Sequence, residues 1–197
     1  MNDTKKSGRR GRPRGFNPDE GVALAQRLFH ARGYDAVGVA ELTSALGINP
    51  PSFYAAFGSK ADLFSLALDR YAIHSAVPLD DLLSPEQPVA AGLARVLEEA
   101  ARRYAADPAT AGCLVLESVG CHDETARAAA QVFHRAALER LRAFIANRHP
   151  DKAEQVTDFI GAVMAGLSAR ARDGLELDRL LAAARLGAAA IAEELST

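Results

Sequence analysis

Residues 47–58, GINPPSFYAAFG, constrain the fold of this chain more than any other stretch. Proline lacks an N–H and has a fixed backbone angle, so a helix accepts it without loss only in its first turn. Asn49, directly before Pro50 and Pro51, is a good N-cap. Gly47 permits a sharp turn before that cap, and Gly58 ends the helix. The segment therefore predicts a helix of about two turns with a stiff entry. Phe53 and Phe57, four residues apart, share its inner face. Ser52, Tyr54, Ala55 and Ala56 are left for the outer face.

A helix this short needs neighbours, and the flanking sequence supplies them. In FNPDEGVALAQRLFHARG, Asn17 is placed to cap, Pro18 fits the first helical position, and Asp19 and Glu20 suit the positive helix end. Val22, Ala25, Leu28 and Phe29 recur at helical spacing, and Gly33 stops the run. A second helix is predicted over 39–46, with Val39, Leu42 and Leu46 inward. Ser59 caps a fourth helix, with Asp62 three residues later, running to about Ser75.

Pro78, Pro85 and Pro88 mark a loop and a candidate domain border. Helical stretches then follow at about 88–106, 109–119, 123–148, 151–172 and 176–195. No strand-type alternation and no repeat occur, so the chain reads as all-α. Apolar runs stay well short of the ~18 residues of a membrane span. No apolar stretch follows the basic start, so it does not read as a signal peptide. Cys113 and Cys121 make no disulfide framework, and a cytoplasmic setting is expected. No nucleophile–base pair, phosphate loop or paired Glu-x-x-His motif points to an enzyme.

Three short helices with a glycine turn between the second and third have the form of a helix-turn-helix. In that motif the second helix of the pair enters the major groove. The proline pair then lowers the entropy lost on docking. Residues 16–66 resemble the TetR family of bacterial regulators. The resemblance lies in LFHARGYDAVGVAELTSALGINPPSFYAAFGSKADLF: the Gly-Tyr pair, the Leu-Gly-Ile turn, the Phe-Tyr-x-x-Phe helix and the Ser-Lys-x-x-Leu-Phe helix start. It implies a three-helix DNA-binding domain over 16–60 and a helical ligand-binding and dimerisation domain over 61–197. It also implies that Tyr54 and Lys60 hold phosphates, that Pro50, Pro51, Ser52, Ala55 and Ala56 face bases, and that Thr43 assists. Gly38 departs from the pattern, standing where the family has a Ser or Thr cap. With Ala55 and Ala56 on the reading face, recognition leans on thymine methyls, Ser52 and DNA shape.

Charge distribution agrees with this division. Net charge is −2, but the first sixty residues hold nine Lys or Arg against five acids, and the remainder fourteen against twenty. That is +4 on the head and −6 on the body, a basic binding module on an acidic body. Residues 1–15 read as a flexible basic arm. Its Gly-Arg-Pro-Arg run offers Arg12 and Arg14 to the minor groove or to phosphate.

For the body, the resemblance implies an unknown small-molecule inducer and a homodimer, released from a palindromic operator when the inducer binds. Leu66, Tyr71, Tyr104, Cys113, Leu116, Phe133 and Met164 are the candidate lining of the pocket. Few charges interrupt the apolar helix faces, which favours a neutral or apolar ligand, and no cofactor is expected. The Gly- and Ala-rich stretches 151–172 and 176–195 suit a four-helix interface between two subunits. Cys113 and Cys121, beside His122, Asp123 and Glu124, leave open a redox- or metal-sensing alternative. If one helix carried both thiols, they would stand ~12 Å apart, too far for a disulfide.

Overall fold

A computed structural model of the chain describes residues 16–196; Arg12 and Arg14 lie outside the described residues. Within them the fold is all-helical. The head consists of α1 (Pro18–Arg32), α2 (Val39–Leu46) and α3 (Pro50–Phe57), closed by the first turns of α4 (Lys60–His74). The body comprises α5 (Leu79–Leu82), α6 (Val89–Tyr104), α7 (Leu114–Ser118), α8 (Glu124–Ala146), α9 (Ala153–Arg172) and α10 (Leu177–Ser196). α10 packs along α6, α9 wedges between α6 and α8, and α4 packs on α1 at one side and α8 at the other. α4 is therefore the shared beam between head and body.

Local signals set the limits of the head helices. Asn49 Oδ1 accepts the Ser52 N–H at 2.9 Å. Ser59 Oγ accepts the Asp62 N–H at 3.0 Å and donates to the Asp62 carboxylate at 2.7 Å. Gly47 closes α2 in the left-handed region, at φ 66°, where a side chain is strained. Gly38 occupies the N-cap of α2 and provides no side-chain bond.

The head has an aromatic centre. Phe29, Leu42, Phe53 and Phe64 have no exposed surface. Phe29 stacks on Tyr34 at 5.6 Å and meets the edge of Phe64 at 5.2 Å, while Phe16 covers Phe57 edge-on at 5.7 Å. Each fully buried phenylalanine contributes about 1.5–3 kcal/mol, enough to hold so short a helix as α3 in place.

Two expectations for the body are corrected. Residues 78–88 are not wholly loop: they hold α5, whose Leu79 is buried, and Arg148 of the α8–α9 connection donates to the Gln87 and Pro85 carbonyls at 2.8 and 2.7 Å. The expected helix over 109–119 is split into a 3₁₀ turn, Pro108–Thr110, and α7. Gly112 lies between them at φ 85°, and a Cβ there would meet Arg172 at 2.8 Å and Ser168 Oγ at 3.0 Å. Ser168 Oγ accepts the Cys113 N–H at 2.9 Å. The chain breaks its helix so that α9 can approach.

Candidate nucleic-acid interface and the cavity behind it

On α3, Pro50, Pro51, Ser52, Tyr54, Ala55 and Ala56 are all exposed, while Phe53 and Phe57 are buried. The outer face is thus small and nearly smooth, with Tyr54 as its one large side chain, its ring 5.4 Å from Phe53 and edge-on to it. A surface of this shape admits close approach to a groove floor and offers Ser52 Oγ and the Tyr54 hydroxyl as its side-chain hydrogen-bonding groups.

Two residues expected at this face lie elsewhere. Thr43 is buried, and its Oγ1 donates to the Ala40 carbonyl of its own helix at 3.0 Å. A threonine mid-helix satisfies its hydroxyl this way when its face is turned to the core. Lys60 is half-buried, with Nζ 3.8 Å above the centre of the Tyr34 ring. Burial draws its pKa down, against the opposing pull of Asp35 and Asp123. Its ammonium is committed to that ring and is not a free cation beside α3.

The head is tied to the body at two points. Asp35 Oδ2 accepts the His122 backbone N–H at 2.8 Å and lies 2.9 Å from the ring Nδ1 of the same residue. These hydrogen bonds hold the Asp35 carboxyl below its usual range. On the other side, His30 of α1 is buried with Nε2 3.2 Å from the Gly112 carbonyl oxygen, and its ring meets Tyr71 edge-on at 5.3 Å. Burial pulls the His30 pKa down. Arg172 of α9 donates to the His30 and Ala111 carbonyls at 3.1 and 3.3 Å.

Behind this junction lies a cavity of about 380 Å³. Tyr71, Tyr104, Cys113, Leu116, Phe133 and Met164 all line it, brought together from α4, α6, the start of α7, α8 and α9. Burial, with the Cys113 thiol as a lesser cause, raises both Tyr71 and Tyr104 well above their usual pKa. His134 and Arg140 supply polar groups elsewhere in an otherwise apolar wall. Leu66 is the exception to the expected set: it is 44% exposed and lines no part of the cavity. The buried face of α4 is Leu63, Phe64, Ala67, Leu68 and Tyr71, and Leu66 projects roughly 130° from its centre.

The two cysteines do not share a helix. Cys113 is the N-cap of α7, and Cys121 follows its end, with a thiol pKa raised by burial. No group of three or more His, Cys, Asp or Glu among the described residues is placed to hold a metal. No helix among them is long and apolar enough to cross a membrane.

Residues 22–67 match the family described as bacterial regulatory proteins, tetR family. The HTH-type transcriptional repressor BdcR of Escherichia coli is 50% identical over 189 residues, spanning 95% of this chain and 96% of that protein. The chain belongs to the TetR family. The repressor ComR of the same organism is 30% identical over 90% of this chain and 89% of its own length. A cysteine-substituted form of the TetR family regulator CifR, solved with a 26-base-pair operator duplex, superposes with a TM-score of 0.80 at 34% identity, covering 91% of this chain and 99% of that one. These likenesses make the chain a transcriptional regulator and not an enzyme.

As a TetR-family regulator the chain carries junction residues that its sequence did not announce. His30 and Gln26 are buried polar residues one turn apart on α1. Their i, i+4 spacing was visible, but nothing local says that the face they share meets the body. Gly112 and the Asp35–His122 contact are likewise fixed by distant partners, 82 and 87 residues away.

Proposed function

We propose that two copies of this chain bind a palindromic operator through α3 and repress transcription, and that a small, largely apolar molecule in the cavity releases them. The protein works in the cytoplasm, beside the DNA. The observation that carries this reading is a smooth, exposed α3 on an aromatic core, hydrogen-bonded through His30 and Gly112 to the wall of an apolar cavity. Tyr71 belongs to both the cavity and the junction. A ligand that repositions Tyr71 or the Cys113 segment shifts the seat of α1. The head then rests at an angle that no longer fits both half-sites, a population shift driven by the ligand's differential affinity.

The pairing surface of this reading is the outer side of α9 and α10. Their inner sides are core, with Leu167, Leu180, Ala184 and Ile191 buried within one subunit. Outward stand Phe159, 42% exposed, and Leu186, 74% exposed, beside Gly166 and Ala183 in a shallow groove. Two such surfaces related by a two-fold axis make a four-helix interface and set the two α3 helices at half-site spacing. The test is a gel shift with the chain's own upstream region. Sequence-specific retention that small apolar molecules abolish supports the reading; no retention at any concentration contradicts it.

A further inference from the structure

The apolar cavity carries two buried phenols on its wall. Tyr71 of α4 and Tyr104, the last residue of α6, are each 2% exposed, and both line it. The Tyr71 phenol lies near enough to Tyr104 to raise its pKa, and the Cys113 thiol raises both. Two hydroxyls and a thiol, from α4, α6 and the cap of α7, therefore converge on one part of the cavity. Their frame is held. The Gly112 N–H donates to the Tyr104 carbonyl at 2.9 Å, the Cys113 N–H donates to Ser168 Oγ at 2.9 Å, and the Tyr71 ring stands edge-on to His30 at 5.3 Å.

This cluster is rich in donors and poor in acceptors. Burial keeps both phenols protonated, so each has one O–H to donate, whereas a thiol sulfur accepts weakly. Around them Leu116 and Phe133 offer no side-chain acceptor, and the Met164 sulfur is a weak one. Buried donors facing weak acceptors gain free energy when a ligand oxygen replaces them. An anionic oxygen is disfavoured, because a charge buried without a partner is costly. The guanidinium of the wall, Arg140, is exposed and is paired with Asp80 at 3.4 Å.

On the reading that this cavity takes the releasing ligand, we propose that it recognises a neutral ketone whose carbonyl oxygen accepts hydrogen bonds from the Tyr71 and Tyr104 hydroxyls. A carbonyl oxygen has two lone pairs, the number that two converging donors require. The apolar remainder of the molecule lies against Leu116, Phe133 and Met164. The volume of about 380 Å³ falls in the ~300–1,000 Å³ range of small-molecule sites. Tyr71 also meets His30 of the head, so the group that reads the carbonyl is the one that seats α1.

The experiment is calorimetric titration of the full chain with two matched pairs, acetophenone against ethylbenzene and butyrophenone against butylbenzene, with benzoate as the anionic control. The expected result is that a ketone binds at least about tenfold tighter than its hydrocarbon partner and than benzoate, the factor that two net hydrogen bonds supply. Tyr71→Phe and Tyr104→Phe keep the rings, and each lowers ketone affinity about fivefold while leaving the hydrocarbon's unchanged. Equal binding of ketone and hydrocarbon, tighter binding of benzoate, no binding of either ketone, or Phe variants that keep the preference overturn the proposal. Release of DNA is read separately by gel shift. A ketone that binds with the stated preference but leaves the DNA complex intact counts against the release reading alone. A cavity that takes the hydrocarbon as tightly as the ketone counts against the ketone proposal alone.

Discussion

Lys60 Nζ stands 3.8 Å above the centre of the Tyr34 ring, at the seam between the head and the loop leading into α8. This contact joins the first residue of α4 to the α1–α2 turn. Burial pushes the Tyr34 phenol pKa up, and the Asp123 carboxylate of the body adds to that rise. Lys60 thus holds the base of the reading head.

Removing that cation has two separable effects. Lys60→Met lowers stability by about 0.5–1 kcal/mol, the value of a cation over an aromatic face near the surface. Urea unfolding followed by circular dichroism measures it. Because the ammonium is committed to Tyr34, the salt dependence of DNA binding changes by less than the ~0.9 per subunit of a full phosphate contact. An unchanged midpoint removes the contact from the account.

The aromatic anchor of α3 is the larger energetic element. Phe53 has no exposed surface, so Phe53→Ala costs about 3–5 kcal/mol through lost burial and the cavity left behind. Chemical denaturation reads the loss directly. A cost under about 1 kcal/mol implies that α3 is not seated by this ring.

Much of the head was legible in the sequence because its signals are local. Asn49, Pro50, Gly58 and Ser59 fix both ends of α3 within a dozen residues of chain. Of the expected cavity lining, Tyr71, Tyr104, Leu116, Phe133 and Met164 come from helices and Cys113 from the cap of α7. What escaped was set by distant partners. The break at Gly112 exists because Arg172 and Ser168 of α9 occupy the space, some fifty-five to sixty residues later. The burial of Thr43, whose hydroxyl donates to the Ala40 carbonyl, is set by packing that spacing alone does not reveal. The same holds for Lys60, whose ring partner lies across the α1–α2 turn.

Acid should loosen the junction at His30. Burial keeps its folded pKa below the 6.5 of a free imidazole, so the unfolded chain binds the proton first. Stability is therefore full above that value and is lost as pH falls through it toward the folded pKa. Unfolding measured at about pH 7.5 and 5.5 should show a larger loss for the natural chain than for His30→Gln. Equal losses would mean that His30 is not held neutral.

The outer side of α9 and α10 gives a third kind of test. Leu186 is 74% exposed in a single subunit, so Leu186→Glu leaves an isolated subunit intact. If the subunits pair there, the substitution buries a charge without a partner. Sedimentation velocity should then show a dimer for the natural chain and a monomer for the variant. A natural chain that sediments as a monomer, or a variant that stays dimeric, places the pairing surface elsewhere.

The most direct measurement is a gel shift with the chain's own upstream DNA, comparing the natural protein with Ala56→Glu. Ala56 is exposed on α3, so the variant should keep the natural melting temperature. A carboxylate in the groove repels the phosphates and fits no thymine methyl. The account predicts specific retention by the natural protein and none by the folded variant. Equal retention by both would contradict it.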